Sequence, residues 1–411
     1  MLIKRLVKFK TLYLVILLLL LCAGLFFVNL LFTKNYAGGK YFISQWIVSR
    51  SMIVSHENPY SDSLLFKSQQ NAIGRPAMAG EYEFRFTYPY FSILLFLPFG
   101  LIGDFAIARA AWMLFLEVSV VAVFLLSLNL ADWKPNIRLS ILLFVFTITF
   151  YHTVRAIVDG NLIIVIALLM VTMLISLRNR NYPMAGILLA VTFIEIQYTF
   201  LLIVIVLFFA FSTRKYQVFT YLLGTLFLLI GFSLLLQPDW LSNYFQQLWL
   251  SFTGLFPSNM IKLLSLVWGT TGVRLGITFA FIMGLMIIIE GFRSRNKGFG
   301  YFLWYIFVII TLLQWSGLPA VADNYFLLVP GLFYGLKLLS ERWKNIGEIV
   351  IFLLMLSLSF FTWLIFFISR GSGLEYQEPF ALYFLFPLYV TVILYWVKWW
   401  ILRKKEFEIG R

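Results

Sequence analysis

The chain has 411 residues, of which 62% are hydrophobic and 12% charged, and no soluble arrangement could hide that much apolar surface. Its formal charge of +14 sits mostly in short loops between apolar runs, which points to membrane topology and anionic lipid headgroups and away from nucleic acid. One cysteine, Cys22, and two histidines, His56 and His152, exclude a disulfide framework and a metal site of zinc spacing.

Lys4, Arg5, Lys8 and Lys10 precede an apolar run from Thr11 to Phe32. This reads as an uncleaved anchor, because Leu21 stands before Cys22 where a lipoprotein cleavage site wants a small residue. The next crossing waits until about Arg109. The loop between, 33–107, collects Lys34, Lys40, Arg50, Glu57, Asp62, Arg75, Glu81, Glu83, Arg85 and Asp104. Asn58-Pro59-Tyr60 and Tyr88-Pro89-Tyr90 supply turn and aromatic elements that can fold such a loop compactly on a membrane face. From 81 to 86, Glu81, Glu83 and Arg85 alternate with Tyr82, Phe84 and Phe86, a period of two that sets charges on one face and aromatics on the other.

Beyond the loop, basic residues recur at Lys134 and Arg138, Arg178 and Arg180, Arg214 and Lys215, Arg293 to Lys297, Arg342 and Lys344, and Arg403 to Lys405. The positive-inside rule assigns all of these, with both termini, to the cytoplasm of a multi-pass plasma-membrane protein. Parity then makes Tyr90–Ile102 a surface-lying helix, since a crossing there would put Lys134 and Arg138 outside. The expected fold is an all-α polytopic membrane protein with about twelve transmembrane helices. They lie near 11–32, 108–131, 139–153, 161–177, 184–194, 198–213, 218–237, 275–292, 299–315, 326–339, 347–369 and 380–402. Two modules follow, 1–237 with the outer loop 33–107 and 238–411 with an outer loop at 238–274.

Several crossings are too short for a hydrocarbon core of roughly 30 Å. Polar turns between short crossings must sit below the surface, where they persist only beside a water-filled cavity or buried in protein. The chain thus predicts a polar cavity floored by Tyr151, His152, Arg155, Asp159, Asn161, Glu195 and Gln197. Arg155 and Asp159 are spaced for an ion pair on one helical turn. Glu117, inside a crossing, reads as a hydrogen-bonded fastener between helices.

The basic N-terminus, single crossing and loop carrying Asn58-Pro59-Tyr60 and Tyr88-Pro89-Tyr90 are followed by Ala108-Arg109-Ala110, Asp159-Gly160-Asn161 and Tyr182-Pro183-Met184-Ala185-Gly186. Together they resemble the membrane glycosyltransferases of the GT-C superfamily, and within it the bacterial polyprenyl-phosphate-mannose-dependent mannosyltransferases. Asn324-Tyr325 fits the same pattern further on.

The resemblance implies transfer of a sugar, mannose expected, from a polyprenyl phosphate to an outer-face lipid or glycan acceptor, with no metal or other cofactor required. Such transfer wants a carboxylate base for the acceptor hydroxyl and cations for the leaving phosphate. Relatives carry an acid after the Gly-Gly pair, whereas here Gly38-Gly39 is followed by Lys40-Tyr41-Phe42. A basic residue is also common where Glu195 stands. The expected base is therefore one of the remaining loop acids, Glu57 and Glu83 ahead of Asp62 and Glu81. Arg75, Arg85 and Lys262 are expected on the phosphate, and Tyr88, Arg155, Asp159, Asn161, Asn324 and Tyr325 complete the substrate-binding set. The competing readings are a non-catalytic lipid-binding relative and a transporter of lipid or polyprenyl-linked sugar.

Overall fold

The computed structural model describes residues 2–78, 81–253, 260–294, 297–316, 322–369 and 380–403. Among them every regular element is helical. Seven helical stretches are long and apolar enough to cross a membrane, and an eighth results if Ile137–Thr149 and Tyr151–Val158, bent by 44°, form one broken span. The chain is an all-helical, multi-pass membrane protein.

Three of those stretches fold back on themselves. A straight helix over Tyr182–Ser212 would separate its ends by about 46 Å. Instead Lys215 Nζ lies 5.2 Å from the centre of the Tyr182 ring, and Gly186 faces the Val218 to Leu222 backbone. The reversal is the 3₁₀ turn Thr192–Glu195, pinned by Thr199 Oγ1 donating to Thr192 O at 2.9 Å. Within Val329–Ser369, Lys344 breaks the helix at φ 48°, and Gly347 packs on the backbone of Leu339 and Ser340. In Met260–Ser294 the break is at Trp268 and Gly269, so that Gly276 meets Ile261.

Side-chain bonds align the ends of these segments. At one end Arg178 donates to the carbonyls of Asn129 and Leu130, Asn136 donates to Glu348, and buried Lys398 pairs with Glu290 at 2.6 Å. The connections here pivot on residues of positive φ, Asp132, Arg180, Arg214 and Lys344. The left-handed conformation costs roughly 1–2 kcal/mol per residue, tolerated where a connection must be this tight. The opposite end holds the 36–104 loop, Asp159, Glu195 and Asp323.

Leu2–Asn35 is joined to Phe105–Leu130 by Asn29 Nδ2 donating to Glu117 Oε2 at 3.0 Å and by Thr33 Oγ1 donating to Ala106 O at 3.0 Å. Glu117 thus fastens two helices. Asp104 caps Phe105–Leu130 by accepting from Ile107 N.

Inside the loop, Ile43–Val54 and Tyr90–Gly100 lie against each other. Trp46 Nε1 donates to Ile102 O, and Gly100 meets the backbone of Ser49 and Arg50. Tyr90–Gly100 is about 16 Å long, half a hydrocarbon core. Trp240–Thr253 closes over the loop: Arg85 donates to Gln247 Oε1 at 2.7 Å, Gln247 Nε2 donates to Tyr60 O, and Tyr60 O–H donates to Tyr88 O. Side-chain bonds thus join Trp240–Thr253 to the first loop across position 237/238.

Candidate functional site

The site begins with a backbone clasp. Gly39 N donates to Val158 O and Tyr41 N to Asp159 O, each at 3.0 Å, so the start of the loop is laid across the turn that ends Tyr151–Val158. Arg109, 2% exposed, locks the clasp from beneath, with Nη1 donating to Tyr36 O at 2.8 Å and Nη2 to Val158 O at 3.0 Å. Gly38 and Gly39 have positive φ and lie directly on the Arg109 side chain, which leaves no room for a Cβ at Gly38 and little at Gly39. Gly160, at φ 72°, is pressed on Phe42 and Trp112 in the same way, and Trp112 Nε1 donates to Gly160 O.

This clasp sets Lys40 between two acids. Its Nζ is 3.4 Å from Asp159 and 3.3 Å from Asp323. Arg155 bonds Asp159 at 2.9 Å and reaches Asp323 at 3.9 Å. The carboxylates are sequestered, with side chains 6% and 0% exposed, whereas the cations keep 21% (Lys40) and 27% (Arg155). Two cations facing two acids make the group neutral. Bare charges at this depth would be costly, and the pairing removes most of that cost. The chemical consequence is a pair of cations that meet water on one side and carboxylates on the other.

Around the tetrad the groups are neutral and polar. Asn161, just before Ile163–Arg178, accepts from Ile163 N, and its Nδ2 donates to Asn324 Oδ1 at 2.8 Å. His152, fully buried, stands edge-on to Tyr325 at 5.3 Å and within electrostatic reach of Asp323. Tyr325 O–H donates to Tyr383 O. Tyr41 stands edge-on to Tyr82 at 5.4 Å, and burial, followed by the charge of Asp323, pushes its phenol well above the usual tyrosine range. Tyr41 therefore stays neutral and cannot be the base.

Of the residues expected from sequence, Arg155, Asp159, Asn161, Asn324 and Tyr325 come together here, and Tyr88 joins them by donating its phenol proton to Glu195. The loop acids do not. Glu57 lies on the outside of the loop, bonded to Lys67 at 2.6 Å and to Ser55 and Ser63, which lowers its carboxyl below the usual range. Asp62 is exposed in the first turn of Asp62–Ile73. Glu81 is held in a fork by Arg75, at 2.7 and 2.6 Å, and accepts from Met78 N, so its carboxyl drops to about 2. Glu83 pairs with Arg85 at 2.9 Å, and Arg85 is in turn bonded to Gln247. These pairings engage Glu57, Glu81, Glu83, Arg75 and Arg85 within and beside the loop, apart from the group that Lys40, Arg155, Asp159 and Asp323 form. Alternation explains the result: the aromatics Phe84, Phe86 and Tyr88 turn inward and are buried, leaving their charged neighbours on the rim. The side chain of Lys262 lies outside the described residues.

Lys40 and Asp323 were not among the expected site residues, and Glu195 was expected in the cavity floor but with no substrate role. Signals existed for each: Lys40 follows a Gly-Gly pair in the place of an acid, Asp323 adjoins Asn324, and Glu195 stands alone between two short apolar runs.

The family model for glycosyltransferase family 87 matches residues 86–322, more than half of the chain. The match includes Tyr88, Arg109, Arg155, Asp159, Asn161 and Glu195, and stops one residue short of Asp323. No curated protein and no solved structure matches.

Proposed function

The chain belongs to glycosyltransferase family 87, a family of GT-C-type membrane glycosyltransferases, and from that premise we propose that it moves a hexose, mannose expected, from a polyprenyl phosphate to a lipid or glycan acceptor. The reaction takes place at the outer face of the plasma membrane. The observation that carries the proposal is the tetrad, where Lys40 and Arg155 present charge to water with Asp159 and Asp323 directly behind them.

In this scheme the donor phosphate docks on Lys40 and Arg155. The acceptor oxygen attacks the anomeric carbon and forms the new glycosidic bond. The bond from that carbon to the phosphate oxygen breaks, and the leaving phosphate keeps the electron pair beside the two cations. Asp159, the less enclosed of the two acids, takes the acceptor hydroxyl proton. Donor binding also readies the base, because a phosphate drawing Lys40 and Arg155 toward itself weakens their hold on Asp159. The positive charge comes from side chains, so no metal ion is required.

Twelve passes with both termini cytoplasmic are part of the same reading. It is supported by the fold-backs at Thr192–Glu195 and Lys344, each of which divides one stretch into two, and by the collection of basic turns at the end away from the tetrad. A second reading, a lipid binder without turnover, draws on the fact that both acids are already paired.

The test is transfer from radiolabelled polyprenyl-phosphate mannose by purified protein with membrane acceptors. Asp159→Asn is expected to lower transfer by about 10²–10⁴-fold, and Glu57→Gln and Glu83→Gln to stay within about threefold. Full activity in Asp159→Asn would remove Asp159 as base, and donor binding without transfer by the parent would favour the binder.

A further inference from the structure

Beside the tetrad lies a second polar group that the transfer chemistry does not use. Tyr88 donates to Glu195, which is 4% exposed at the reversal Thr192–Glu195. Tyr198, almost one turn further on, is hydrogen-bonded to Asn324, which accepts from Asn161 at 2.8 Å. Tyr82 stands edge-on to the ring of Tyr41, the residue next to Lys40. These residues come from the first loop, the 159–161 turn, the 192–198 reversal and the 322–328 turn, so only the folded chain gathers them.

The described helices show what a purely fastening polar contact looks like in this protein. Glu117 has one amide partner from the neighbouring helix, and Glu290 is tied to a lysine, an arginine and a tyrosine hydroxyl. The Glu195 wall is built differently. It holds a carboxyl, two amides and phenols, no cation is among its five members, and Tyr198 and Tyr82 are only half-buried. Buried polar groups in a membrane protein are costly and mark functional positions by default. Groups that both donate and accept, set beside aromatic rings, complement a pyranose, which offers vicinal hydroxyls on its rim and C–H bonds on its face. The wall also adjoins the cations to which the donor phosphate is assigned, so a sugar esterified to that phosphate lies within its reach.

We infer that the wall formed by Tyr88, Glu195, Tyr198, Asn324 and Asn161 binds the hydroxyl groups of the donor's hexose, and that it distinguishes a sugar-loaded polyprenyl phosphate from the spent lipid. This rests on the proposed function, because it takes the phosphate to sit on Lys40 and Arg155. The wall gives the protein a reason to prefer loaded donor over product, which shares the same phosphate and tail.

The experiment compares dissociation constants of the full chain in detergent or nanodiscs for polyprenyl phosphate and for polyprenyl-phosphate mannose. The parent is expected to bind the loaded lipid at least about tenfold more tightly, the work of two or so neutral hydrogen bonds. Tyr198→Phe, which removes one hydroxyl, and Glu195→Gln, which keeps the shape, are expected to cut that preference about fivefold or more. Their affinity for the bare lipid should stay within about twofold. Lys40→Ala should weaken both lipids together. The inference is overturned if the parent shows no preference, or if Tyr198→Phe and Glu195→Gln leave the preference intact or weaken both lipids equally, and in each case the phosphate site survives. If the parent binds neither lipid, the proposed function itself fails. Tyr198→Phe guards against misfolding, since it deletes a single oxygen from a residue that is half-buried.

Discussion

Replacing Arg109 by methionine keeps much of the side chain's length and removes the two hydrogen bonds that clasp the first loop to the 158–160 turn. Those bonds are 2.8 and 3.0 Å long, and the residue is 2% exposed, so solvent does little to weaken them. A hydrogen bond from a charged donor contributes roughly 1.5–3 kcal/mol, which puts two at about 3–6 kcal/mol. Methionine also relieves the cost of burying the guanidinium, so the lower end, about 3 kcal/mol, is the expected loss. At about 1.4 kcal/mol per tenfold, local opening of the clasp becomes roughly 10²-fold more populated. The amides of Gly39 and Tyr41 bond across the clasp to Val158 O and Asp159 O, so their hydrogen exchange should accelerate by about that factor. Amides inside Ile163–Arg178 should be unchanged. Exchange measured by mass spectrometry on protein in nanodiscs reads this without assuming any activity. If exchange at 39–41 stays within about threefold of the parent, Arg109 does not hold the loop, and the account of why Lys40 faces Asp159 is wrong.

Gly160→Ala places a Cβ 2.6 Å from Phe42 Cβ at a φ of 72° and should cost about 1–3 kcal/mol, seen as a lower unfolding midpoint. Gly224→Ala, with open space around it, should leave the midpoint unchanged or raise it. Lys398→Met removes the partner 2.6 Å from Glu290 and leaves it Arg293 and the Tyr301 hydroxyl, so it should destabilise by less than the roughly 3–5 kcal/mol of a fully unpaired buried charge; adding Glu290→Leu should recover most of that loss, and failure to do so would mean the pair is not the cause. The Glu81 carboxyl, held to about 2 by Arg75 and Met78 N, lies below its unfolded value. Its contribution is therefore present above the ordinary carboxylate range near 4 and fades as pH falls toward 2; Glu81→Gln should flatten that part of the pH–stability curve, and an unaltered curve would count against the pairing. In a Cys22→Ala background, a cysteine at Ser61 should react with an impermeant reagent from outside and one at Ser294 should not; labelling at Ser294 would reverse the proposed orientation.

Sequence alone determined the membrane class and the ends of many helices, because hydropathy and charge act locally. Apolar runs must be helical in lipid, and Asp104, Asn136 and Asn181 cap the residues immediately after them. The reversals at Arg180, Arg214 and Lys344 were legible because charge marks the places where a chain stops being apolar. The Arg155–Asp159 pair was equally legible, as the two are one helical turn apart. Tertiary structure decided which acid meets which cation. Lys40, Asp159 and Asp323 are far apart along the chain, and only the clasp through Arg109 and the packing of the 322–328 turn bring them within 3.4 Å. The same holds for the loop acids: Glu57 to Lys67, Arg75 to Glu81 and Glu83 to Arg85 are short-range partners, but composition could not show that these charges would spend themselves on one another. An ion pair is set by the position of two side-chain tips to within an ångström or so, and hydropathy fixes only the layer in which each tip lies.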